Sequence, residues 1–437
     1  WCAARMQPLT QRRAQVSTLT QNENKSLRQK MTELTMSRGD SLEVTIDRMA
    51  HGGEGIGQAP DGRVVFVPRA FPGDVVKATA GRVKKSFIKA ELESVLSPGP
   101  LRVPSSCPAA AQGAGCCDFA ELDPAAETGI KAEILSEQLR RTGIVTGEEL
   151  NIEQHTLEPV RGWRTRVRWG VDKQGRAGTR QRRSNELITG AACTQLAPGL
   201  AEGLVGEGAR RFTPGAEVIA VLDGEGNRHV VETRKAPRGR RVETIREVVE
   251  GSGKVHEHVD GRTFSFPATA FWQAHSHAPA AYTDLIAEWL GGREYQEHTA
   301  WDLYGGVGLF VPALAHAVQG KVISVDYSPA ATAGEQAALA DCDVEVKSAK
   351  VEQVAAQLPK PGAVVLDPPR TGAGEDVIRS VAAAAPQAVV HVGCDPATFA
   401  RDLGYWNQHG YGIEKMALIN AFPGTHHFET IALITPA

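Results

Sequence analysis

Trp301-Asp302-Leu303-Tyr304-Gly305-Gly306-Val307-Gly308-Leu309-Phe310 is the stretch that decides the fold. A short apolar run ends at Tyr304, a glycine turn follows, and an alanine-rich helix comes next. Strand, tight turn and helix in that order open a βαβ unit. The alternation then continues. Val322-Ile323-Ser324-Val325-Asp326 reads as a second strand, with a helix expected from Pro329. Val344-Glu345-Val346 is a short third, Ala363 to Leu366 a fourth and Ala388 to Val392 a fifth. Continuous apolar runs of this kind suit parallel strands buried on both faces. Lys415 to Asn420 and Thr430 to Thr435 close the series with no room for a helix between them, so one of that pair is expected to be antiparallel. Residues 264–437 therefore read as a doubly wound, mostly parallel α/β domain.

Upstream the pattern changes. Residues 1–37 are polar and lack a period, and they read as a disordered tail or an upstream extension with Met31 or Met36 as the natural start. They hold no apolar segment of the signal-peptide kind. In residues 38–98, Leu42-Glu43-Val44-Thr45-Ile46 and Val64-Val65-Phe66-Val67 alternate, and glycine turns such as His51-Gly52-Gly53-Glu54-Gly55-Ile56-Gly57 separate them. Short strands and turns packed this closely predict a small β-barrel. Arg63, Arg69, Lys77, Arg82, Lys84, Lys85 and Lys89 make it locally basic. Residues 99–263 hold a helix expected over 128–142, expected to pack on the catalytic domain, and then a β-rich stretch. There Arg164-Thr165-Arg166-Val167-Arg168-Trp169 alternates cation and apolar residue, and Arg176, Arg180, Arg182, Arg183, Arg234, Lys235, Arg238, Arg240 and Arg241 continue the charge. Arginines interleaved with Trp163 and Trp169 suit phosphates and stacked bases.

The 437 residues are 42% hydrophobic and 23% charged with a net charge of -3, so any attraction to nucleic acid is local rather than global. Seven irregularly spaced cysteines argue for a reducing cytoplasm over a disulfide scaffold. No apolar run approaches a membrane span, and a cytoplasmic monomer is expected.

Four positions carry chemistry. In Val390-His391-Val392-Gly393-Cys394-Asp395-Pro396-Ala397-Thr398 a thiol stands at a strand end beside a helix start. That edge of an open α/β sheet is where ligands bind, and a helix N-terminus lowers a thiol's pKa. Gly305-Gly306-Val307-Gly308 does not have the G-x-G-x-x-G spacing, and Asp326 ends the next strand, where it can accept both ribose hydroxyls. This pair fits S-adenosylmethionine at least as well as a nicotinamide dinucleotide. Asp367-Pro368-Pro369-Arg370 sets a rigid carboxylate at the same edge, and Glu429 opens the last strand after Phe422-Pro423-Gly424-Thr425-His426-His427. A thiol nucleophile and a carboxylate base are what methylation of a pyrimidine C5 needs: addition at C6 activates C5, and a base later removes the C5 proton.

Together these motifs resemble the TrmA/RlmD family of RNA 5-methyluridine methyltransferases. The resemblance rests on Phe271-Trp272-Gln273-Ala274-His275, Asp302 to Phe310, Leu366-Asp367-Pro368-Pro369-Arg370, Cys394-Asp395-Pro396-Ala397-Thr398 and His427-Phe428-Glu429-Thr430, in the family's order. Residues 38–98 resemble a TRAM domain, an OB-like RNA-binding barrel, through Gly52-Gly53-Glu54-Gly55-Ile56 and Val65-Phe66-Val67-Pro68. The resemblance implies a class I methyltransferase domain, an RNA substrate (ribosomal or transfer RNA), Cys394 as nucleophile and Glu429 as base. It also implies contacts from Gln273, Tyr304, Asp326 and Asp367 to S-adenosylmethionine or the target base. Asp395 and His275 stand where the family commonly has Asn. Relatives carry a [4Fe–4S] cluster; here Cys107, Cys116, Cys117 and Cys193 are the candidate ligands, but the adjacent pair is expected to splay apart, which leaves a cluster, a zinc ion or no metal open. An RNA-binding protein on a catalytically silent scaffold is the alternative, disfavoured by the retention of both Cys394 and Glu429.

Overall fold

A computed structural model of the chain describes residues 36–144, 151–238, 241–328 and 333–437. Nearly all of the expected N-terminal tail, Arg240 and the start of the helix expected from Pro329 lie outside them. Two compact units divide at Arg102 and Val103.

In the first unit, β1 (Ser41–Met49), β2 (Glu54–Gln58), β3 (Val64–Pro68), β4 (Val75–Val83) and β5 (Phe87–Ser97) close a barrel in the order β1-β2-β3-β5-β4. Alternation sends Leu42, Val44, Ile46, Val65, Val67, Val76 and Ala78 inward. One strand, β2, arises where a glycine turn was expected. A Cβ on Gly55 would lie 2.3 Å from the Ala70 carbonyl oxygen, and one on Gly57 2.2 Å from that of Thr45. Glycine is there because the closing barrel brings backbone against backbone.

In the second unit a short helical turn, Pro108–Ala111, precedes a helix over Pro124–Thr142, which starts earlier than expected. Asp123 caps it by accepting from the Ala125 amide at 3.0 Å, and proline follows in the first turn. The strand β6 (Ile152–Thr156) comes next. A sheet of β7 (Arg166–Val171), β8 (Ala177–Arg180), β9 (Leu187–Ile188), β10 (Glu217–Leu222), β11 (Arg228–Arg238) and β12 (Arg241–Glu250) runs in the order β12-β11-β10-β7-β8-β9. A hairpin of β13 (Lys254–Val259) and β14 (Arg262–Pro267) follows.

The remaining strands are β15 (Thr299–Leu303), β16 (Lys321–Val325), β17 (Val344–Lys347), β18 (Ala363–Leu366), β19 (Ala388–Gly393), β20 (Tyr411–Asn420) and β21 (Glu429–Pro436). They form a sheet in the order β17-β16-β15-β18-β19-β21-β20-β6. Neighbours from β17 to β19 pair parallel, and β21 runs antiparallel to both β19 and β20, as the missing crossover requires. Between β16 and β17 the described residues form two 3-10 turns, Ala333–Glu335 and Ala337–Leu339, rather than an α-helix.

Two features modify the expected division at residue 264. The edge strand β6 pairs with β20 although it precedes the central sheet. Val255, Val259, Phe264 and Phe266 share one core with Trp272, Tyr282 and Ile286. The helix Pro124–Thr142 lies against β6, β20 and the helix Pro396–Gln408. No helix among the described residues is long and apolar enough to cross a membrane.

Candidate active site

The parallel strands reverse their order between β15 and β18, the place where an open α/β sheet leaves a crevice at its C-terminal edge. Each strand delivers one residue there: Tyr304 after β15, Asp326 after β16, Asp367 after β18 and Cys394 after β19. Glu429 reaches the same edge from the other direction. Because β21 is antiparallel, its first residue lies where β19 ends, and Gly393 pairs with Thr430. Gln273 arrives from the loop after β14. All six line one cavity of about 670 Å³, together with Arg164, Phe271, Arg370 and His427.

The glycine loop is sterically obligatory. A Cβ on Gly305 would sit 2.1 Å from Asp302 Oδ2, and one on Gly308 (φ +85°) 2.7 Å from Leu339 Cδ1. Gly306 donates its amide to Asp326 Oδ2 at 3.0 Å, and Ser328 donates to Oδ1 at 2.6 Å. Asp326 thus fixes the loop and keeps carboxylate lone pairs for a ligand. Below it, Asp302 accepts from Ser324 Oγ at 2.9 Å, and burial pushes it up to about 7.

Three acids crowd the reacting edge. Burial, then the Glu429 and Asp367 charges, push the Cys394 thiol up to about 12; Arg370 opposes them. Burial drives Glu429 well above the usual carboxylate range, with Asp367 adding to it. Burial raises Asp367 to about 7. The expected lowering of the thiol by the helix start does not occur. Asp395 is the N-cap, and its Oδ1 accepts the Ala397 and Thr398 amides at 3.1 and 3.0 Å. Those donors are occupied, and the Asp395 charge adds a small upward push. A reaction that needs thiolate and carboxylate ionised must therefore quicken as pH rises. We expect the initial rate to climb from about pH 6 to about pH 9 with no acid-side optimum, checked by a pH–rate profile at saturating substrates.

Residues 37–92 match the TRAM domain, and residues 357–436 match the tRNA (uracil-5-)-methyltransferase family. The chain is 54% identical over 404 residues to an uncharacterized RNA methyltransferase of Corynebacterium glutamicum, covering 91% of this chain and 97% of that protein. It is 31% identical over 431 residues to the 23S rRNA (uracil(1939)-C(5))-methyltransferase RlmD of Chromohalobacter salexigens, covering 90% and 89%. The chain belongs to the TrmA/RlmD family of RNA uracil-5 methyltransferases. The fold agrees. The Pyrococcus abyssi tRNA (uracil-54, C5)-methyltransferase, solved with S-adenosyl-L-homocysteine, superposes with a TM-score of 0.66 at 19% identity, covering 90% of this chain and 99% of that one.

The structure accommodates both residues that stand where the family commonly has Asn. Asp395 caps a helix as Asn does. His275 is fully buried, stacked on Trp163 at 5.5 Å and 10°, and burial holds it down at about 4, so it is a neutral packing residue outside the cavity lining. Trp163 and Trp169, expected to meet bases, are buried instead (0% and 1% exposed). The aromatic exposed at this cavity is Phe271, 76% accessible. Phe271, Arg370 and His427 stand within the family-like motifs, but nothing in the sequence gives them a role. Arg164 was hidden in the alternating run, where only the fold shows which arginine faces the cavity. Tyr282, fully buried with its hydroxyl unpartnered, lies near enough to Glu429 and Cys394 for their charges to act on it; nothing local marks it.

The four candidate cysteines do come together. Cys107, Cys116, Cys117 and Cys193 place their Sγ atoms within 4.8 Å of one another. Cys116 and Cys117 do not splay: their sulfurs lie 3.8 Å apart, because they sit in a turn and not on opposite faces of a strand. Four converging thiols in an apolar surround, Ala109, Ala110, Leu196 and Trp169, are a donor set that suits a [4Fe–4S] cluster or a tetrahedral zinc ion. The sulfurs lie closer together than a cubane needs and nearer to the spacing that a single tetrahedral ion requires. A cubane binds each thiolate at a separate iron and needs the sulfurs to open outward.

Proposed function

We propose that this chain transfers a methyl group from S-adenosylmethionine to C5 of a uridine in structured RNA, through a covalent bond between Cys394 and C6. The observation that carries the reading is the meeting of Cys394 and Glu429 across the β19–β21 pair, in one cavity with Asp326, Tyr304 and Asp367. The donor supplies an electrophilic methyl group. Tyr304, the Gly305–Gly308 loop and Asp326 are its adenosine side of the cavity, and Gln273 and Asp367 face the donor or the target base.

The protein's own groups do the rest. Cys394 Sγ adds to C6, which makes an enolate and turns C5 into a nucleophile. After the methyl group is on C5, Glu429 takes the C5 proton, and elimination of the Cys394 thiolate restores the ring double bond. Arg370 opposes the upward shifts of both Cys394 and Glu429, so it favours the ionised forms that these steps use. Fluorine at C5 cannot leave as a proton. RNA carrying 5-fluorouridine should therefore give, with S-adenosylmethionine, a complex that survives denaturing electrophoresis and maps to Cys394. Recovery of free RNA with no adduct would refute the covalent route.

RNA contact is the second half of the proposal. Phe271, exposed at the cavity, suits stacking on a base. A stack is worth about 1–3 kcal/mol, so Phe271→Ala should weaken RNA binding roughly 5- to 150-fold, read by filter binding, while homocysteine-nucleoside product binding stays unchanged. Residues 99–263 supply the backbone track: a cavity of about 810 Å³ on the central sheet is lined by Arg168, Arg180, Arg234, Lys235 and Arg246. The TRAM barrel adds a further RNA surface. Cys107, Cys116, Cys117 and Cys193 are the donor set that would hold a metal centre, a [4Fe–4S] cluster or a single zinc ion.

A further inference from the structure

The four-cysteine site lies in a part of the chain that is wired to the segment delivering Glu429. Phe422 to His427 forms the turn before β21, and its hydrogen bonds go to residues beside the cysteines. Asp118, the residue after Cys117, meets His426 Nδ1 at 2.6 Å through Oδ2. Phe119 donates its amide to the Gly424 carbonyl at 3.1 Å. Gln195, two residues after Cys193 and only 2% exposed, donates Nε2 to the Pro423 carbonyl at 3.1 Å. Trp163 donates Nε1 to that same carbonyl at 3.0 Å. The fit is close: Gly424 has φ +78°, and a Cβ there would stand 2.7 Å from Gln195 Nε2.

A second clamp grips the turn from the helix Pro124–Thr142. The Gly424 amide donates to both Glu127 oxygens at 3.0 and 2.9 Å, and Lys131 reaches Asn420 Oδ1 at 2.6 Å and the Phe422 carbonyl at 3.3 Å. Glu127 and Lys131 are both fully buried, so that side is rigid by packing alone. The side held by Asp118, Phe119 and Gln195 is different. Its two strands of chain, around Cys117 and around Cys193, are 76 positions apart and converge at the sulfurs, with Cys117 and Cys193 Sγ 3.0 Å apart. Bringing four thiols together without a bond between them is held only by the surrounding packing, whereas a bound metal locks both strands at once.

We propose that the four-thiolate centre is the anchor of the Phe422–His427 turn, and that its occupancy sets the position of Glu429 and His427. Asp118 and Gln195 are then positioning residues that act through the turn. The step controlled is removal of the C5 proton, not binding of the methyl donor, whose residues come from β15, β16 and β18. This rests on Glu429 being the base.

The test uses the full chain, as purified without oxygen and after metal is stripped under reducing conditions with a chelator, with iron, zinc and sulfide content measured in both. Hydrogen exchange of residues 421–429 should be at least about ten-fold faster in the stripped protein, with S-adenosylhomocysteine affinity changed by less than about two-fold. Gln195→Ala and Asp118→Asn keep all four cysteines. They should speed exchange in the same segment at unchanged metal content, and slow tritium release from C5-labelled uridine RNA more than they slow adduct formation. Iron with sulfide, or zinc alone, identifies the occupant. A chain that carries no metal, or exchange in 421–429 that is the same loaded and stripped, overturns the proposal. These exchange readouts do not depend on the role of Glu429, which Glu429→Gln tests separately, so failure of one reading is distinguishable from failure of the other.

Discussion

Cys394→Ala yields no methylated RNA and no adduct, with the rate down by about 10⁴-fold or more, the scale on which loss of a covalent nucleophile is felt. The size of the loss follows from the substrate. Uracil C5 is a weak nucleophile until something adds at C6, and among the described residues no other cysteine lines the cavity. The change removes one half-buried sulfur, so the fold and the donor side of the cavity stay as they are. Product-nucleoside binding by calorimetry should match wild type while single-turnover methyl transfer vanishes. Methylation by the Ala variant near the wild-type rate would place the nucleophile elsewhere.

Glu429→Gln separates the two halves of the reaction. Addition and methyl transfer proceed, but no carboxylate takes the C5 proton, so ordinary uridine RNA accumulates as a covalent complex while turnover falls about 10²–10⁴-fold. The same substitution has an opposite effect on stability. Glu429 is buried with its Oε2 unpartnered and its pKa driven up by burial and Asp367. A carboxyl raised on folding binds more protons folded than unfolded, so its penalty grows as pH rises above the unfolded value of about 4.3 towards the folded one. Gln removes that penalty. The melting temperature should rise by roughly 2–4 °C near neutral pH, and the gain should shrink towards pH 4 or so. An unchanged melting temperature at both pH values would show that the crowding of the two carboxyls is relieved in solution.

Much of the site was legible in the chain because chemistry at the edge of a parallel sheet is written at strand ends. Tyr304, Asp326, Asp367 and Cys394 each follow a continuous apolar run, so counting runs was enough to place them at one edge. Glu429 was legible only through the resemblance and the need for a base; that its strand runs antiparallel to β19, which brings its first residue to the same edge, is decided by the fold. The barrel was readable from alternation, except β2, where closeness of backbones and not side-chain pattern chose the residues. What local pattern could not settle was direction and reach. Trp163 and Arg164 are neighbours in the basic run, yet Trp163 is buried against Pro423 and Arg164 lines the cavity. The thiol shift runs opposite to the helix-start expectation, because burial and the Glu429 and Asp367 charges raise it while Asp395 takes the helix amides.

By itself the sequence determined the βαβ periodicity, the barrel, and which thiol and which carboxylates stand at strand ends, because burial and hydrogen bonding make those patterns local. Only the tertiary structure decided that Cys107, Cys116, Cys117 and Cys193 share one point, that β6 belongs to the catalytic sheet, and that burial with the Asp367 charge raises the proton affinity of both Glu429 and Cys394. Those are consequences of distance between parts of the chain far apart in order, and desolvation and Coulomb interaction depend on that distance alone.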